Sequence, residues 1–409
     1  MHTYKYIILG GGTCAGYAAD EAVNIGINKG DMAIVSAENS FPPDRPPFSK
    51  GYLRGEIDKK DVFINHEKFY EENGIDLYLN HHVDEVDLNN KTLITKEKTF
   101  KYEKLLITTG SKINKLRNEG SDLGNIFYLR SLSDSKNIRE SARRAKKALV
   151  IGGMFIGTET AASLSLMGLK VTLVFPEDRI LQHFTNNTIS DHISSYLQKL
   201  GVNIISNVKI DRFSGEKKVQ HVLLNNGNDI ETDLVVAGIG VSPAIQLFEN
   251  TSLNTGDGII VDEYTRTNIE NVLAAGDVAR FPDKTFNKSR RVEHWENAFE
   301  QGKTAANNLL GKKKAYDFLP YFFSDVGDLS YEYFGDNADC NRDIIRGNPV
   351  EGDFTIFFLK DDILRAAFIT SSRPDAERNA VKKWIKEKTA LNDDILKNEA
   401  TKILEAARN

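Results

Sequence analysis

Apolar positions in this chain come in short bursts cut off by glycine. Residues 4–9 (YKYIIL) run straight into Gly10, Gly11 and Gly12, and such a bounded run predicts a buried strand. Beyond the glycines the apolar positions recur at helical spacing to about Asn24. A second apolar run covers 32–37 and ends at an acid, Glu38. The order then repeats. Residues 148–151 lead into Gly152-Gly153-Met154-Phe155-Ile156-Gly157, a helical stretch to about Met167, a strand over 170–174 and Glu177. Strand, glycine turn, helix, strand and acid make a βαβ unit, and the chain holds two. Further on, 267–275 predicts a strand ending in Gly276-Asp277. Past residue 353 the pattern changes, with 354–359 and 363–370 alternating as a hairpin around 360–362. Two amphipathic helices are expected after it, the first over 376–386. The patterning predicts an α/β protein of two Rossmann-like dinucleotide-binding domains plus an α+β C-terminal domain.

Composition narrows the function. The net charge of −5 gives no reason to expect nucleic acid or an anionic membrane as partner. No apolar run approaches the length of a membrane span, and the N-terminus lacks the pattern of an export signal. Only two cysteines occur, Cys14 and Cys340, without a Cys-x-x-Cys pair. A cytoplasmic enzyme is expected. No metal is expected either, because the histidines, His81 and His82 included, show no ligand spacing.

The glycine turns carry the chemistry. Gly10 makes the tight turn, Gly12 lets the backbone approach a pyrophosphate, and Ala15 lets helix pack on strand. The helix N-terminus adds unpaired N–H groups, and Glu38 is placed for a ribose. In the second turn Met154 replaces the middle glycine and hinders phosphate approach, so a Rossmann-like unit without ligand is the alternative there. Asp277 suits a ribityl hydroxyl; on its own it would be a simple turn aspartate. Cys14 is expected to be a small packing residue and Cys340 an exposed thiol.

Together these three motifs resemble the FAD-dependent pyridine nucleotide–disulfide oxidoreductase superfamily over nearly the whole chain. The resemblance implies one nucleotide domain inserted in the other. Residues 1–114 and 243–311 would bind FAD, 115–242 NAD(P)H, and 312–409 would form a C-terminal interface or lid domain. Thr108-Thr109-Gly110 is similar to the crossover out of the FAD domain, and Gly238-Ile239-Gly240 with Pro243 to the return. The disulfide branches carry reactive cysteine after the second strand. Here 39–50 (NSFPPDRPPFSK) holds no sulfur, which excludes a thiolate relay. The DRPPFSK string resembles oxygenase-coupled ferredoxin reductases, apoptosis-inducing factor and monodehydroascorbate reductase. KYIILGGGTCAGYAA, NIFYLR and LPYFFSDVGDLSYEYFGDN resemble the last of these, whereas RVEHWENA resembles the first two.

The resemblance assigns roles. FAD would be held by Gly10, Gly12, Thr13, Cys14, Ala15, Glu38, Arg45 and Lys50, with Val83, Thr109, Gly110 and Arg130. Gly276, Asp277, Glu293, His294, Trp295 and Phe323 complete that set. NAD would be held by Gly152, Gly153, Phe155, Ile156, Gly157, Glu159, Glu177 and Gly240, with NADH favoured and NADPH possible. Lys50 and Glu159 would form the catalytic ion pair beside flavin N5; the alternative is two residues that never meet. A helix opening at Glu293-His294-Trp295 and capped by Gly311 would aim its dipole at the flavin. Trp295, Phe299, Gly302, Ala306 and Leu310 form a stripe on it that core packing also explains. His294 is expected to be structural rather than a proton donor. The implied activity is transfer of electrons from NAD(P)H through FAD to a small carrier protein of ferredoxin or rubredoxin type. Monodehydroascorbate reductase and a redox sensor like apoptosis-inducing factor are the alternatives, in a monomer or homodimer. Phe299 and Phe323 stand where ascorbate-radical reductases use arginine and tyrosine.

Overall fold

A computed structural model describes residues 1–408; Asn409, the last residue of the expected C-terminal domain, lies outside the described residues. The chain divides into two compact units, one of 1–45, 58–112 and 241–318, the other of 46–57, 113–240 and 319–409.

In the first unit five parallel strands run Ile75–Tyr78, Met32–Val35, His2–Leu9, Thr99–Ile107, Val272–Ala274. The long strand Thr99–Ile107 shares one edge between two neighbours. Leu105 to Ile107 pair with Val272–Ala274, and Thr99 to Lys101 pair antiparallel with the strand Thr92–Thr95. Ile7, Ile8, Ile34, Leu105 and Leu106 are fully buried, because this sheet is covered on both faces. The helix Thr13–Ile25 covers one face with Ala15, Ala18, Ala19 and Ala22. These small side chains admit the helix Trp295–Leu309 at close range, where a methyl on Gly302 would stand 2.6 Å from the Cys14 carbonyl oxygen.

Two strands are shorter than the patterning predicts. The second stops at Val35 because the Ser36 hydroxyl accepts the Glu38 N–H and turns the chain out of the ladder. The strand expected over 267–275 is Val272–Ala274, since the Thr267 N–H bonds back to the Val272 carbonyl around Asn271, at φ 65°.

The second unit holds a parallel sheet ordered Asn203–Ile205, Lys170–Val174, Lys147–Ile151, Leu234–Ala237, Ile126–Tyr128, with the helix Phe155–Leu166 after the glycine turn. Leu53, from the segment 46–57, is fully buried in the same core as Ile138 and Ala142. A five-stranded antiparallel sheet follows, ordered Tyr321–Val326, Leu329–Gly335, Ile363–Thr370, Asp353–Lys360, Arg342–Asn348. The first C-terminal helix is Asp375–Glu387, but the second is only Asp393–Lys397. The buried Arg346 guanidinium donates to carbonyls at and beyond the end of the second, those of Ile395, Leu396, Asn398 and Thr401. Glu377 accepts from that guanidinium at 3.0 Å and is shared with Arg373. Among the described residues no helix is long and apolar enough to cross a membrane.

Candidate functional site

Each unit builds a glycine turn of its own. In the first, Gly10 takes φ 113°, and a methyl there would lie 2.4 Å from the Thr108 carbonyl oxygen. Gly12 caps the helix Thr13–Ile25 without a side-chain hydrogen bond, so the first N–H groups of that helix have no capping side chain. The Arg45 guanidinium lies across its open face, 3.2 Å from where a Cβ would stand, and binds Glu38 at 2.7 Å. Thr13 donates to the Pro43 carbonyl. The Asn80 N–H reaches the Glu38 carbonyl, which brings the segment leading to buried Val83 alongside. Thr109 donates to the Ala244 carbonyl, and the Ala244 N–H to that of Gly110. Gly276 donates its N–H to Gln301, placing Asp277 at the carboxyl end of the strand Val272–Ala274. This cradle of glycine backbone, helix N–H groups without a side-chain cap, one cation and two carboxylates has the polar groups that a dinucleotide requires.

Asp277 shapes its neighbours. Burial pushes the Cys14 thiol well above the usual range, and the Asp277 charge adds to that, so this cysteine is inert. Burial pulls the His294 imidazole down to about 4 against the opposing pull of Asp277, which leaves it neutral near pH 7. Glu293 pairs with Arg291, and Arg291 also binds Asp257 and the Asp277 carbonyl. Arg290 binds Asp283 at 2.7 Å and lies over the Phe286 ring.

The helix stripe is not core throughout. Trp295 and Phe299 are half-buried and stacked at 5.3 Å, with Tyr17 edge-on to Phe299 at 4.5 Å. The Trp295 Nε1 and Tyr17 hydroxyl both donate to Asp44, whose carboxyl burial nonetheless raises. Lys303 lays its ammonium 4.1 Å from the Phe299 centroid. Gly311, at φ 89°, follows the end of the helix.

In the second unit the turn is tighter. A methyl on Gly152 would meet the Gly238 carbonyl oxygen at 2.2 Å, and one on Gly157 the Gly152 oxygen at 1.7 Å. Gly153 lies against the Phe175 ring, Met154 caps the helix without a side-chain bond, and Phe155 and Ile156 form its first turn. Glu177 is half-buried beyond the next strand. Arg179 is turned inward, donating to the Thr185 carbonyl, while His183 is exposed. Gly240 accepts from the Asn114 N–H, and the Arg130 N–H bonds Asp134.

Lys50 and Glu159 do meet, with Nζ and Oε1 3.0 Å apart and both side chains largely buried. A buried carboxylate without such a partner would be strongly unfavourable. The Phe323 ring centroid lies 5.8 Å from that ammonium. Three residues escaped sequence reasoning: Asp44, Ser49 and Ser324. Asp44 and Ser49 stand inside the DRPPFSK string, and Ser324 adjoins Phe323, so the local signal existed, although the partners were distant. Cys340 is half-buried against the core rather than exposed, and burial pushes its thiol up to about 12. Among the described residues no group of three or more His, Cys, Asp or Glu side chains could hold a metal ion.

The profile described as pyridine nucleotide-disulphide oxidoreductase matches residues 4–302, and one described as reductase C-terminal matches 321–407. A monodehydroascorbate reductase of Pisum sativum is 35% identical, over 96% of this chain and 96% of its own. A ferredoxin reductase structure from Rhodopseudomonas palustris superposes with TM-score 0.92 at 27% identity, covering 99% of this chain and 100% of that one. Putidaredoxin reductase, in its covalent complex with putidaredoxin, gives 0.91 at 27% identity, covering 98% and 96%.

Proposed function

This chain belongs to the pyridine nucleotide-disulphide oxidoreductase family and is an NAD(P)H-dependent FAD oxidoreductase, and on that premise we propose that it passes electrons to a small electron-carrier protein of ferredoxin or rubredoxin type. In this reading 1–114 and 243–311 bind FAD, 115–242 binds the nicotinamide nucleotide, and 312–409 forms the third domain. FAD suits the task because it accepts two electrons as hydride and releases them singly. Gly10, Gly12 and the helix N-terminus hold its phosphates, Glu38 its ribose, and Asp277 its ribityl chain, while Lys50 and Glu159 are the catalytic pair.

The observation that carries the acceptor is the stack of Tyr17, Trp295 and Phe299. Phe299 offers neither charge nor hydrogen-bond donor to orient a small anion. Arg290 and Arg291, which precede the helix in sequence, are engaged by Asp283, Asp257 and Glu293. Aromatic surface of this kind suits a docked protein better than a small oxyanion. A second reading, reduction of the ascorbate radical, is favoured by Lys303, whose ammonium returns a cation to the Phe299 ring, and by the Pisum sativum relative. Steady-state turnover with ferredoxin, rubredoxin and enzymatically generated ascorbate radical separates them. The radical is expected to turn over at least about tenfold more slowly than the carrier, with Phe299→Arg raising its rate, because one charge-assisted contact is worth roughly that factor. Wild-type saturation at low radical concentration would overturn the carrier reading.

NADH is the proposed donor. Glu177 accepts from a ribose 2′-hydroxyl and repels a 2′-phosphate, and Arg179 is committed to the Thr185 carbonyl. The expected kcat/KM ratio of NADH to NADPH is about ten or more, the cost of one unpaired like charge. Equal values or the opposite order would sink the assignment.

A further inference from the structure

Glu159 is gripped by more than its lysine. Oε2 accepts the Ser49 hydroxyl at 2.5 Å, and Oε1 accepts both the Ser324 hydroxyl at 2.7 Å and the Lys50 ammonium at 3.0 Å. Ser49 and Ser324 are 2% and 0% exposed, so water has no ready access to replace either donor. The three donors come from segments far apart in sequence. Glu159 rides on the helix Phe155–Leu166, Ser49 and Lys50 precede a short helix, and Ser324 sits in the strand Tyr321–Val326.

Each segment is fixed in turn. Ser163, one helical turn after Glu159, donates to the Ser49 carbonyl at 2.6 Å, and Ser135 donates to that of Phe48 at 2.7 Å. Ser324 is held opposite Tyr331 in the antiparallel ladder. A lysine ammonium is a point charge on a flexible stem and does not orient a carboxylate. Two hydroxyls on different oxygens do, because they define its plane.

We propose that Ser49 and Ser324 are positioning residues, which set the plane of the Glu159 carboxylate and thereby the place of the Lys50 ammonium. Their relevance to turnover rests on the reading that the pair serves the flavin. The clamp itself does not.

Reductive methylation of Lys50 in the purified holoprotein, followed by peptide mass spectrometry, tests it, with the exposed Lys313 as internal standard. Glu159→Gln sets the rate for an unanchored Lys50. Ser324→Ala and Ser49→Ala are each expected to label Lys50 about tenfold faster than wild type, the factor for one hydrogen bond to a buried charge. Ser324→Thr should return to the wild-type rate, which a merely structural role would not require. Wild-type labelling in both alanine variants overturns the proposal, whether or not Glu159→Gln is faster. Should Ser324→Ala not accumulate folded, Ser324→Cys, similar in shape and weak as a donor, replaces it with the same two outcomes. Stopped-flow reduction of the flavin by NADH in Glu159→Gln is a separate readout. An unchanged rate there removes the pair from the chemistry, while the labelling still decides the clamp.

Discussion

Replacing Gly157 with alanine is expected to lower the melting temperature of the 409-residue protein by roughly 3–4 °C, from a destabilisation of about 3 kcal/mol. The added methyl would lie 1.7 Å from the Gly152 carbonyl oxygen, which is backbone and cannot turn aside. Helix and strand end must part, and the helix that moves carries Thr158, Glu159, Ala161 and Ala162, all buried. Displacing it also pulls Glu159 from Ser49, Ser324 and Lys50, so Lys50 labelling should rise in the same variant. Gly256→Ala is the matched control, since nothing stands within 4 Å of its would-be methyl. It should melt within about 1 °C of wild type, as surface substitutions usually do. A Gly157→Ala protein as stable as that control would show that the turn is looser than its geometry states.

Replacing Asp277 with alanine is expected to strip flavin from the protein. Wild type should purify yellow, with FAD bound non-covalently. The half-buried carboxylate at the strand end would supply charge-assisted hydrogen bonds to the flavin, while the Asp277 carbonyl accepts from Arg291. Loss of one or two charge-assisted bonds weakens affinity by about 10–100-fold. Flavin occupancy after gel filtration, read as the ratio of visible to ultraviolet absorbance, gives the answer. A colourless wild type that cannot be reconstituted would defeat the cofactor assignment, and full occupancy in the variant would defeat the role of Asp277.

What could be read in advance followed from distance along the chain. The two glycine turns were legible because each is complete within about ten residues, with strand, turn and helix start adjacent. The Lys50–Glu159 contact came from resemblance, because nothing local to either residue announces a partner more than a hundred positions away. The serine clamp was illegible for the same reason: Ser324 and Glu159 meet only when the C-terminal sheet is in place. Arg346 was invisible in another way, since most of its partners are backbone carbonyls, which carry no residue identity. The stripe on the helix Trp295–Leu309 had the right period, but period alone does not say which turn of a helix leaves the core. Trp295 and Phe299 left it to stack on one another and on Tyr17.

The strand Thr99–Ile107 waits for its last neighbour. Its partner His2–Leu9 on one side precedes it in the chain, but Leu105, Leu106 and Ile107 pair on the other side with Val272–Ala274, which is made later. At about 5–20 residues per second a ribosome needs roughly 8–30 s to deliver that partner. The helix that buries Ile8 and Leu106 from the same face, Trp295–Leu309, arrives later still. During synthesis the nascent chain would therefore carry an open apolar sheet edge, Leu105 to Ile107, while residues 113–240 are made. Such an edge invites pairing with another copy and is the natural target of a chaperone. No contiguous fragment ending before residue 272 can close this sheet, so the strand end that carries Gly276 and Asp277 joins the first glycine turn only late in synthesis.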